Sequence, residues 1–60
     1  MGEKLRAARL AAGLTQGQLA EKVGCQQRDI SRWENGHREP VASTLKKLAQ
    51  ALECSMDELV

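Results

Sequence analysis

Most of the features that mark a membrane protein, a metal centre or an enzyme are missing from this sequence. Its 60 residues hold no run of eighteen apolar residues, the length a helix needs to cross a bilayer. The opening residues Met1-Gly2-Glu3-Lys4 lack the apolar stretch of a secretory signal. Arg6 stands where an N-myristoylation pattern requires Ser or Thr. The expected location is therefore the cytoplasm, with no membrane partner. Cysteine is limited to Cys25 and Cys54, with no C-x-x-C pair, and His37 is the one histidine. A four-ligand zinc site cannot be assembled from that set, and two isolated thiols in a cytosolic chain are expected to stay reduced. No nucleophile is paired with a base, no Gly-rich phosphate loop occurs, and His37 has no orienting partner. Neither catalysis nor a cofactor is expected.

A strong excess of charge is also lacking. Nine Lys and Arg stand against eight Asp and Glu, for a formal net charge of +1. Domains that grip nucleic acid non-specifically are usually far more basic, so any such role has to come from local distribution. Lys4, Arg6, Arg9, Arg28, Arg32 and Arg38 fall in the first two thirds, diluted by Glu21, Asp29 and Glu34. No repeat, low-complexity segment or linker interrupts the chain. The expectation is one domain over residues 1–60 around one small core, with a stability of only about a few kcal/mol.

What is present centres on Thr15 to Gly36, TQGQLAEKVGCQQRDISRWENG. Thr15 is a favourable N-cap, and Gln18 three residues on completes a capping box. Leu19, Ala20 and Val23 supply an inward face, and Gly24 suits the left-handed conformation that closes a helix. A second helix is predicted over Gln27 to Glu34, with Asn35-Gly36 as its stop. At about 100° per residue, with Gln27 at zero, Arg28 falls near 100°, Ser31 near 40° and Arg32 near 140°. On the same ~100° step, Ile30 falls near 300°, Trp33 near 240° and Glu34 near 340°. One arc thus gathers Gln27, Arg28, Ser31 and Arg32, and the other carries Ile30, Trp33 and Glu34. Arg and Gln bond bidentately to guanine and adenine edges in the major groove. A capped helix, a Gly turn and a helix with such an outer face describe a helix-turn-helix reader over about residues 16–34.

The flanks read as support. Leu5, Ala8, Arg9 and Ala12 recur on one helical face, Ala7, Ala8, Ala11 and Ala12 favour helix, and Gly13 ends it. Arg9 is anomalous on that inward stripe. His37-Arg38-Glu39-Pro40 reads as a polar loop, with Pro40 holding Glu39 off helical angles. Leu45, Leu48, Ala49 and Leu52 mark a fourth helix starting near Ala42. Ser55 to Glu58 is a further capping box opening a short fifth helix through Leu59, with Met56 and Leu59 closing the core.

The ordered set Thr15-Gln16, Leu19-Ala20, Val23-Gly24, Ile30 through Gly36, Pro40 and Thr44-Leu45 resembles the lambda-repressor-like, Cro-type helix-turn-helix family, from Gly2 to Leu59. Val41 and Ala42 depart from the pattern, where a capping Ser or Asp and a larger apolar residue are common. The resemblance implies an all-α, compact five-helix DNA-binding domain. It also implies that Arg9 pairs with Glu34 behind the reading helix, as a partly buried structural clamp. By the same resemblance the loop at residues 37–40 lies along the DNA backbone.

The function expected is sequence-specific binding of double-stranded DNA by a transcriptional regulator, as a homodimer on DNA. Gln27, Arg28, Ser31 and Arg32 are the base-reading candidates. Gln16, Asn35 and Arg38 are the backbone candidates, Gln16 aided by a helix N-terminus. Leu59, Val60 and residues 37–41 are the expected dimer surfaces. The alternative is a protein-interaction module, such as an antitoxin or adaptor with a toxin or second domain as partner. Near-zero net charge favours it, and the salt dependence of DNA binding separates the two.

Overall fold

A computed structural model describes residues 2–60; Met1, part of the start read for targeting signals, lies outside them. Among the described residues the chain forms helices α1 (Gly2–Ala11), α2 (Gln16–Val23), α3 (Gln27–Glu34) and α4 (Ala42–Ala51), with a 3-10 turn over Met56–Glu58 and no strand. No helix of the described residues is long and apolar enough to cross a membrane.

Local chemistry sets most of the boundaries. The Thr15 hydroxyl accepts from the Gln18 amide at 3.1 Å, and the Gln18 side-chain oxygen accepts from the Thr15 amide at 2.9 Å. Such a box satisfies two donors that the first turn leaves free and is worth about 1 kcal/mol. Gly24, at φ 85°, closes α2 by donating to the Ala20 carbonyl. At the start of α3 the Asp29 carboxylate accepts from the Gln26 amide at 3.3 Å, and its charge also favours the positive end of the helix. α4 begins after Val41 without a side-chain cap, so packing rather than capping holds its first turn.

The core takes one fully buried side chain from each element: Leu5, Leu19, Ile30, Leu48, and Leu59 just beyond the 3-10 turn. Burying each contributes roughly 1.5–3 kcal/mol. α2 packs on α3 and α4, α1 packs on α3, and the turn packs on α4. The result measures 23 × 21 × 19 Å, and α3 is held from behind by α1 and α2 with its other face in solvent.

Four expectations are corrected. The fifth helix is a single 3-10 turn of three residues; one capped turn at the chain's edge has too few intrahelical bonds to propagate as α. Met56 does not close the core and is 37% exposed. At a rise of about 2.0 Å per residue it sits a full turn short of Leu59, out at the rim. Leu59 is fully buried, so the expected dimer surface at this end reduces to Val60. Ala12, placed on the inward stripe, is exposed, because α1 ends at Ala11 and the chain turns away at Gly13, φ 73°.

Candidate nucleic-acid interface

The α2–α3 unit turns through Gly24, Cys25 and Gln26. Ile30 anchors α3 at zero exposure, Glu34 is buried beside it, and Trp33 lies half-buried against the core. On the opposite side Gln27, Arg28 and Arg32 are exposed, and Ser31 is half-buried. The three long donors thus share one solvent-facing arc. Ser31 is engaged within the chain, since the Asn35 side-chain amide donates to its hydroxyl at 3.3 Å. Two expected DNA contacts, one to bases and one to the backbone, therefore meet each other.

Behind α3 lies a polar network inside an apolar shell. The Arg9 Nε donates to Glu34 Oε2 at 2.6 Å and Nη2 to Oε1 at 3.1 Å, a bidentate pair whose side chains are 9% and 3% exposed. The third nitrogen, Nη1, donates to the Leu14 carbonyl at 2.9 Å. The hydrogen bond to Glu34 raises the Arg9 pKa, although burial alone would lower it. The Gln16 Nε2 also donates to Glu34 Oε1, at 3.1 Å. Among the described residues no buried side-chain polar atom is left without a partner. One carboxylate thus ties α1, the connecting turn and the start of α2 to the last residue of α3. The Gln16 bond had no trace in the sequence, where Gln16 reads as an exposed helix start. Asp29 as a helix cap was likewise missed; the signal that could have found it is an acidic side chain in the first turn of a helix, where its charge is favoured.

The loop after α3 folds back on the helix, as the amides of His37 and Arg38 both donate to the Arg32 carbonyl, at 3.0 and 3.4 Å. Arg38 is exposed there and shares a shallow cleft with Arg32, Trp33, Pro40 and Cys25. Burial pushes the Cys25 thiol up, reinforced by the Asp29 charge, and burial followed by Glu58 does the same at Cys54. Both thiols stay protonated at neutral pH.

The helix-turn-helix family model matches residues 5–59. The repressor protein C2 of Salmonella phage P22 is 40% identical over 60 residues, all of this chain and 28% of that protein. Antitoxin HipB of Escherichia coli K12 is 36% identical over 56 residues, 93% of this chain and 64% of HipB. A crystal structure of the P22 c2 repressor in complex with a synthetic operator matches with a TM-score of 0.93 at 39% identity, covering 98% of this chain and 89% of that one. The restriction-modification controller protein C.AhdI from Aeromonas hydrophila matches with a TM-score of 0.92 at 36% identity, covering 98% and 86%. The chain belongs to the helix-turn-helix family, in its lambda-repressor-like branch. It spans less than two thirds of the length of either curated relative named here.

Proposed function

We propose that the chain is a sequence-specific double-stranded DNA-binding protein, a cytoplasmic transcriptional regulator in which residues 1–60 act as one helix-turn-helix domain. The observation that carries this reading is the exposed arc of Gln27, Arg28 and Arg32 on a helix whose opposite face is locked by Ile30 and Glu34. Likeness to a repressor solved on its operator supports it. In this reading α3 enters the major groove and its two arginines and Gln27 reach base edges, with Ser31 lending its remaining lone pair. Gln16, Asn35 and Arg38 contact phosphates. A primary amide carries two hydrogens, so Gln16 holds Glu34 with one and offers the other to a phosphate at the start of α2, where the helix N-terminus adds attraction. The reading includes no catalytic step.

Selection of bound sites from random duplex DNA, followed by footprinting, tests this directly. Arg28→Ala or Arg32→Ala should cost about 1–3 kcal/mol on the selected site and relax preference at particular base pairs. Gln16→Ala should weaken selected and random DNA alike. A selected motif that both arginine variants leave unchanged would remove α3 as the reader.

Similarity to an antitoxin supports a second reading, in which the same fold engages a protein partner. A DNA affinity that does not fall with added salt would favour it, because phosphate contacts impose a steep negative slope.

A further inference from the structure

We infer that Gly2 is a positioning residue for the reading helix: the missing side chain at the start of α1 is the seat on which the end of α3 rests. A Cβ at position 2 would lie 2.3 Å from the Glu34 carbonyl oxygen, 2.9 Å from its carbon and 3.0 Å from the Trp33 carbonyl oxygen. Real Cβ atoms essentially never come within 3.0 Å of such neighbours. The atoms met are backbone, so no side-chain rotation relieves the clash. Either α1 or the last turn of α3 has to move by several tenths of an ångström.

The contact acts at a sensitive place. Glu34 is the residue whose side chain Arg9 and Gln16 hold at 2.6 to 3.1 Å. Its main chain rests on Gly2, so the end of α3 is fixed from two directions at once. Two residues earlier on α3 stands Arg32, whose carbonyl anchors the loop that carries Arg38. A recognition geometry tolerates displacements of only about 0.5 Å. A methyl group at position 2 therefore reaches the reading surface without touching DNA.

Helix propensity makes the opposite prediction, which sharpens the test. In the first turn of a helix Ala is favoured over Gly, so on local grounds Gly2→Ala would stabilise α1. The inference rests on the DNA-reading assignment above, and the experiment keeps the two apart. Affinities of wild type, Gly2→Ala and Glu3→Gly are measured for the selected site and for random duplex at a temperature where circular dichroism shows each folded. Glu3 is exposed in the same turn, so Glu3→Gly loosens that turn without adding a Cβ. Gly2→Ala is expected to melt below wild type and to lose roughly tenfold on the selected site, the scale of one good base contact, with random-DNA affinity retained. Glu3→Gly should keep wild-type discrimination. Equal loss on both DNAs, no loss, or the same loss in Glu3→Gly overturns the inference. Should Gly2→Ala not fold, a chain cleaved from a fusion to begin at Glu3 serves instead, since it keeps Leu5, Leu19, Ile30, Leu48 and Leu59 of the described core. It should also lose discrimination because α3 has lost its seat, and wild-type discrimination in it overturns the inference. Wild type without a preferred site sinks the DNA reading itself.

Discussion

At the scale of single residues, the largest energies reside in Glu34 and the three groups around it. A carboxylate taken out of water costs several kcal/mol, which is repaid only if its oxygens are well bonded. Here one oxygen accepts from Arg9 Nε and the other from Arg9 Nη2 and Gln16 Nε2, and Arg9 has its third nitrogen on the Leu14 carbonyl. Removing Arg9 leaves a buried anion with one neutral donor, and removing Glu34 strands a buried guanidinium. Arg9→Ala and Glu34→Ala should therefore each lose about 3–5 kcal/mol, enough to unfold a domain of this size. Replacing both by apolar residues of similar volume should be much milder, since no orphaned charge remains. Gln16→Ala, which leaves the bidentate pair intact, should lose only about 0.5–1.5 kcal/mol. Denaturant melts of the set decide it; single losses below 1 kcal/mol that simply add in the double would mean that the pair behaves as a surface pair.

At the scale of elements, the helix ends show what is local and what is tertiary. Just beyond α4, past its C-cap Leu52, stands a residue that does not suit its place: Glu53 has φ 55°, the only non-glycine among the described residues at positive φ. The left-handed conformation costs a side-chain-bearing residue roughly 1–2 kcal/mol, and the Glu53 side chain is exposed. Glu53→Gly should accordingly raise stability by about 1 kcal/mol, seen as a higher melting temperature with an unchanged m-value; no gain would mean that flexibility added to the unfolded chain cancels the relief. Ends with short-range causes were readable beforehand. Thr15 with Gln18, Gly24, and the span Gln27 to Glu34 all follow from spacings of three or four residues, and α2 and α3 have the bounds those spacings give. Contacts between elements distant in sequence were not readable. Gln16 meeting Glu34 eighteen residues on depends on how α2 crosses α3. The close approach of Gly2 to Glu34 depends on α1 lying over the end of α3, and a lone Gly near the start of a chain carries no local mark of it. Met56 failed for a third reason: the capping pattern of Ser55 and Glu58 gives a turn its start but not its type or phase. Within the candidate interface, the outward arc of Gln27, Arg28 and Arg32 came from angle alone, whereas the bond that engages Ser31 with Asn35 lay beyond it.

At the scale of the whole molecule, the limits are size and charge. α3 has eight residues and so runs only about 12 Å at 1.5 Å per residue, enough for a few base pairs. A net charge of +1 gives little non-specific attraction with which to make up the difference. Two copies on neighbouring half-sites double the base contacts, and the second binds at the high effective concentration set by the first. Among the exposed apolar side chains that an association of copies would cover, Val41 is 68% exposed at the end of the loop that folds back on α3, and Val60 is 52% exposed. The expected outcome is two chains on DNA carrying two half-sites about 10 base pairs apart, centre to centre, with an affinity well above that for one half-site. Val41→Glu, which places a charge on the loop near Arg38 without touching the core, should lower affinity for the paired site far more than for the single half-site. Gel-shift stoichiometry and titrations on the two DNAs are the measurement. Equal affinity for both, with one chain on each, would leave a monomer reading a short site; a Val41→Glu variant that still binds the paired site as wild type does would move the contact to the Val60 end of the molecule.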